Sequence, residues 1–99
     1  MISAAGDPLP MVLRPYDKRE ALNLKTAAEI AGRCESTVRS WCAQHDIGRR
    51  VANGPWQVSY PALMMLLDGN ELALADYLRG EREAPHVAAY FARAGLARP

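Results

Sequence analysis

The sequence predicts a mainly α fold with one small β-hairpin, and three observations carry that prediction. Residues 24–47, LKTAAEIAGRCESTVRSWCAQHDI, read as two short helices joined by a tight turn at Gly32. Next comes an Asn53-Gly54 pair between two short β-prone runs, a strong local hairpin signal. A third helix, apolar around most of its circumference, then follows over residues 61–67. Helix, turn, helix and hairpin in this order make a winged helix-turn-helix unit, here followed by C-terminal helices.

Size and composition set the frame. Ninety-nine residues suffice for one domain. With 49% apolar and 23% charged residues, the chain has ordinary globular composition rather than that of a disordered segment. No apolar run reaches membrane-spanning length, and residues 1–10 lack the charged-then-apolar pattern of a signal peptide. Cys34 and Cys42 both fall in the helical pair, and free thiols in a reducing cytoplasm are expected. The net charge is only +1, but its distribution is uneven. Residues 14–57 carry eight basic and five acidic side chains, whereas residues 58–99 carry four and five. The positive excess surrounds the helical pair, as the electrostatic footprint of a polyanion binder should.

Taken in order, residues 1–15 hold Pro8, Pro10 and Pro15 with little periodicity and predict an extended, mobile arm. Residues 16–23 predict a short helical turn. Thr26-Ala27-Ala28-Glu29 matches a capping box, with Thr26 as the cap of the first helix. Ala27, Ile30 and Ala31 share a face, and Gly32 stops the element in a position suited to a left-handed backbone. The second helix is expected over residues 35–45. At 100° per residue, Val38, Trp41, Cys42 and His45 form its inner arc. Ser36, Thr37, Arg39, Ser40, Ala43 and Gln44 form the outer one. That outer arc has small side chains, which let a backbone enter a DNA groove, and Arg and Gln, which make paired hydrogen bonds to guanine and adenine edges. On a lone helix it would be an ordinary solvated face; the hairpin beside it favours the groove reading.

In the hairpin, Trp56 and Val58 share an inward face, Gln57 points out, and Arg49 and Arg50 stand at its base. Ser59 caps the third helix, with Pro61 in its first turn, and Asp68-Gly69-Asn70 ends it. Residues 71–79 predict a fourth helix using Leu72, Leu74 and Leu78. Residues 80–85 read as a charged linker. Residues 86–94 predict a last helix carrying Val87, Tyr90, Phe91 and Ala94, which packs back on the domain by default.

Residues 22–68, about half the chain, resemble the winged helix-turn-helix domain of excisionases (recombination directionality factors), whose fold is shared with MerR-type regulators. The resemblance rests on Ala27-Ala28-Glu29-Ile30-Ala31-Gly32 and Ser36-Thr37-Val38-Arg39-Ser40-Trp41. It continues through Arg49-Arg50, Gly54-Pro55-Trp56-Gln57-Val58-Ser59, and the closing Ala62-Leu63 to Leu67-Asp68-Gly69. Arg33 and Cys34 depart from the family, which often has an apolar residue and then a Ser or Thr cap there. Glu35 is also unusual near phosphates and is read as favouring the helix dipole.

The resemblance implies a non-enzymatic protein that binds and bends double-stranded DNA at an attachment site. Copies often sit side by side and help a site-specific recombinase (integrase) choose excision of a mobile element. It further implies phosphate contacts from Arg33, Arg49 and Arg50 and base readout by Ser36, Thr37, Arg39, Ser40 and Gln44. Asn53 at the wing tip would reach the minor groove. The corresponding organisation is an arm over 1–15, a DNA-binding domain over 16–69 and a helical extension over 70–99. The expected setting is the bacterial cytoplasm, at the nucleoid, with a bacterial or phage source.

Other readings are weaker. No nucleophile motif or phosphate-binding glycine loop suggests an enzyme, and no cofactor is expected. Cys34, Cys42 and His45 match no standard zinc spacing. A MerR-like transcription regulator, a phage terminase small-subunit type of DNA-binding protein, and a protein-interaction module using the last helix are the alternatives.

Overall fold

A computed structural model describes residues 10–14, 16–50 and 52–96. Among them are β1 (Ala21–Leu22), α1 (Leu24–Ala31), α2 (Glu35–His45), β2 (Gly48–Arg49), β3 (Gln57–Ser59), α3 (Tyr60–Leu67), α4 (Glu71–Leu78) and α5 (Pro85–Arg93). The molecule is mainly helical, with one small antiparallel sheet in the order β1-β3-β2.

Helix α3 forms the centre. Pro61, Ala62, Leu63, Met64 and Met65 are buried, as expected of a helix that is apolar on nearly every side. Helices α1, α4 and α5 all pack on it. Ser59 caps it as predicted, its hydroxyl accepting from the Ala62 N–H at 3.2 Å. Helix α5 returns to the domain. Tyr90 donates to Asp68 at 2.8 Å and Arg93 pairs with the same carboxylate at 2.9 Å, together holding its pKa below the usual range.

The start of α1 differs from the prediction. Asn23, not Thr26, is the cap, and its side-chain oxygen accepts from the Thr26 N–H at 2.7 Å. Asn is at least as good a cap as Thr, and using it lengthens the helix by bringing Leu24 and Lys25 inside. Gly32 (φ +68°) closes α1, with Arg33 N–H donating back to the Ala28 carbonyl at 3.1 Å.

Helix α2 has the predicted bounds, and Val38 and Cys42 are buried on its inner face. Trp41 is only half-buried. His45 is exposed, contrary to its place on the predicted inner arc. Asp46 turns the chain with a left-handed backbone (φ +57°), and Ile47, fully buried, fills the position instead.

Residues 16–23 do not form the expected helical lead-in. After a turn closed by Glu20 N–H to the Asp17 carbonyl (2.9 Å), Ala21 and Leu22 become β1, pairing with Ser59 and Val58. The central strand β3 therefore has partners on both edges. The predicted hairpin pairs as expected, Gly48 with Val58 and Arg49 with Gln57, but its left-handed residues are Ala52 and Asn53, one position earlier than the Asn-Gly pair.

The arm and linker also need correction. Residues 1–9 lie outside the described residues, but Val12 and Leu13 are buried. Met11 N–H donates to the Leu78 carbonyl at 2.9 Å and Leu13 N–H to the Tyr77 hydroxyl at 3.0 Å. On α4, Ala73, Leu74 and Tyr77 face the core, while Leu72 is 78% exposed. The predicted linker supplies Arg82, which pairs at 3.1 Å with Glu20, a carboxylate only 1% exposed. Glu20 also accepts from Ser59 Oγ (3.0 Å) and from the Tyr77 hydroxyl, whose pKa is pushed up by burial and by that carboxylate. The Arg82 guanidinium lies between the Tyr77 and Phe91 rings, 5.1 and 5.2 Å from their centroids. One hydrophobic core therefore runs from Val12 to Tyr90, across the predicted 69/70 boundary.

Candidate nucleic-acid interface

The outer face of α2 presents the residues expected of it. Ser36, Arg39, Ser40, Ala43 and Gln44 are exposed and Thr37 is half-buried. The helix exposes them because its inner face is taken up by Val38 and Cys42 against the core. At its start, Cys34 gives no side-chain cap. Its sulfur instead lies 3.2 Å from both Ser36 Oγ and Thr37 Oγ1. Those hydroxyls, Ser36 most strongly, lower the thiol pKa to about 7. Two predicted base-reading hydroxyls are thus engaged with a thiol, whereas Arg39, Ser40 and Gln44 have no hydrogen-bond partner of their own side chains among the described residues.

Beside α2, the N-terminal end of α1 and the β2–β3 loop enclose a cleft of about 450 Å³. Lys25, Arg39 and Arg50 bring positive charge to it, and Glu35 is its one carboxylate. A neighbouring depression along the α1–α2 turn shares Lys25 and Glu35 and adds Arg33. Four cations from four segments are thereby gathered on one side of the molecule. None of them lies within 4 Å of a carboxylate among the described residues. On the side formed by α4 and α5 the pattern is different: Arg79, Arg82 and Arg93 are all ion-paired, with Asp76, Glu20 and Asp68.

Arg50 has a local duty the sequence did not suggest. Its Nε donates to the Gly54 carbonyl and its Nη2 to the Asn53 carbonyl, both at 2.8 Å. Its guanidinium also sits 5.7 Å from the Trp56 ring centroid. It shapes the loop while keeping its charge in the cleft. Asn53 is exposed at the turn (φ +61°), with its carbonyl taken by Arg50. Arg49 is not brought to the cleft; it is half-buried, with its Nε enclosed and lacking an acceptor among the described residues.

Lys25 and Trp56 were not singled out as site residues. Placing the helix start at Thr26 left Lys25 outside α1, and the alternation of Trp56 with Val58 marked the indole as core. Val58 is fully buried, but Trp56 is half-buried and lines the cleft. No group of three or more His, Cys, Asp or Glu side chains suited to a metal occurs among the described residues, and no described helix is long and apolar enough to cross a membrane. Comparison with protein-family models, with curated proteins and with solved structures finds no significant match.

Proposed function

We propose that the chain is a sequence-specific, double-stranded DNA-binding protein of winged helix-turn-helix type, with α2 as the recognition helix and the β2–β3 loop as the wing. The observation that carries this reading is the gathering of Lys25, Arg33, Arg39 and Arg50, without carboxylate partners among the described residues, beside an α2 face of small polar side chains. Unpaired cations on one side supply the sequence-independent part of DNA affinity. Arg39, Ser40 and Gln44 are free to read base edges. Exposure of Leu72 aside, the C-terminal helices turn their large side chains inward, with Tyr90 buried and Phe91 half-buried. That use of the last helix weighs against the protein-interaction module.

Within DNA-binding proteins, we assign the role of an excisionase that bends attachment-site DNA, binds side by side with further copies and directs an integrase toward excision in the cytoplasm. This finer assignment rests on the sequence resemblance. Support from the fold is that α4 and α5 both pack back on α3 instead of extending as the long dimerisation helix usual in MerR-type regulators. The deciding experiment is recombination between attachment sites by a site-specific integrase of the source organism, with and without the protein. Excision that depends on it is expected. Salt-sensitive binding of duplex DNA without any effect on excision would leave the DNA-binding assignment and remove the excisionase one.

A further inference from the structure

The cleft between α1, α2 and the β2–β3 loop has a composition that a general basic surface does not need. The geometry points to a seat for one sugar–phosphate unit of the DNA backbone, with Lys25 on the phosphate and the Leu24, Pro55 and Trp56 side chains against the deoxyribose. The assignment rests on the DNA-binding reading and deepens it.

The cleft, about 450 Å³, is open to solvent, so a unit of a long polymer can lie in it while the chain continues on either side. Its lining is divided in kind. Leu24, Pro55 and Trp56 form an apolar wall, while Lys25, Arg39 and Arg50 oppose a single carboxylate, Glu35, for a net lining charge of +2. A sugar–phosphate unit has the same division, with C–H groups on the ring and an anion at its end. Arg50 contributes charge, but two of its donors are already used on the Gly54 and Asn53 carbonyls. Lys25, exposed and with no side-chain hydrogen bond among the described residues, is left to meet the phosphate, while Arg39 adds charge to the lining from α2. The first-turn N–H groups of Leu24 and Lys25 add donors, as at any helix start. Arg50 also lies over Trp56, which steadies the wall on which the sugar would rest. Glu35 opposes the anion and so limits affinity for non-cognate DNA.

The test uses the full chain and a fluorescent random-sequence duplex, titrated over a series of salt concentrations. Lys25→Ala is expected to weaken binding several-fold and to flatten the log–log salt dependence by about 0.9, the share of one phosphate contact. Lys25→Arg is expected to restore both. Glu35→Gln should tighten binding several-fold, a gain that a purely structural role would not produce. In Trp41→Phe protein, where Trp56 is the remaining tryptophan, duplex should change the indole emission. Duplex binding by the parent protein, together with an unaltered salt slope in Lys25→Ala and unaltered Trp56 emission, would overturn the cleft assignment alone. Failure of the parent protein to bind duplex at low salt would overturn the DNA-binding reading and the cleft with it. A mononucleotide that binds the cleft and protects it from duplex with equal affinity would replace the backbone with a free nucleotide as ligand.

Discussion

Two groups of cations in this molecule stand in contrast. On the side formed by α1, α2 and the β2–β3 loop, Lys25, Arg33, Arg39 and Arg50 have no carboxylate within 4 Å among the described residues, although Glu35 lines both depressions. On the side formed by α4 and α5, Arg79, Arg82 and Arg93 are each committed to a carboxylate. The difference separates charge that serves the fold from charge available to a ligand. Arg82 shows the first use most fully. It satisfies a buried glutamate and fills the space between two aromatic rings, so its removal would disturb several elements at once. Arg39 shows the second, since it is exposed and its side chain has no hydrogen-bond or ion-pair partner among the described residues.

The largest effect expected from breaking this division is at Arg82. Arg82→Met should destabilise the protein by about 3 kcal/mol, the lower end of the range for breaking a buried pair, because the Arg82 side chain keeps 20% of its exposure. Urea unfolding measures it, and a loss below about 1 kcal/mol would mean that the Ser59 and Tyr77 hydroxyls suffice for Glu20. Next comes the contact between α2 and β2. A Cβ at Gly48 would stand 2.5 Å from the Gln57 carbonyl oxygen and 2.7 Å from Cys42 Sγ. Gly48→Ala should therefore cost about 1–3 kcal/mol by overpacking, visible as a lower Tm.

On the other side the sign of the comparison reverses. Arg39→Ala should leave stability within about 0.5 kcal/mol but cost about 1–3 kcal/mol of binding to a preferred sequence, and less on random duplex. Arg50→Ala should weaken all sequences and also lower Tm, because the loop loses its two carbonyl contacts; equal and pure binding losses for both variants would erase the distinction between them. The smallest effect concerns the thiols. Cys34 is exposed with its pKa lowered to about 7, and Cys42 is buried with its pKa raised by desolvation to about 11. Iodoacetamide at neutral pH should label Cys34 alone, at a rate that rises through about pH 7 as the thiolate forms. Equal labelling of both thiols, followed by mass spectrometry, would show that the inner face of α2 opens.

Much of the helical scaffold was legible because its signals are local. The bounds of α2, the stop at Gly32 and the cap at Ser59 each depend on residues within a turn or two. Where two local signals competed, as Asn23 and Thr26 did for the cap of α1, pattern alone chose the wrong one. That single shift hid Lys25. The outer face of α2 was legible for the same reason as the inner face, through the helical period; the inner arc failed at His45, the last residue of the helix, which is exposed.

The sequence by itself determined the helices, the Ser59 cap, the central place of the apolar α3 and the small polar surface of α2, because backbone hydrogen bonding and side-chain period act over a few residues. Only the tertiary structure decided the rest. Glu20 finds Ser59, Tyr77 and Arg82 at separations of 39, 57 and 62 residues, and Leu13 finds Tyr77 across 64. A glutamate read in isolation looks solvated, and a two-residue strand such as β1 is too short to show alternation. The same holds for the cleft. Lys25, Arg39 and Trp56 are unremarkable along the chain, and they line one cleft only where α1, α2 and the β2–β3 loop meet.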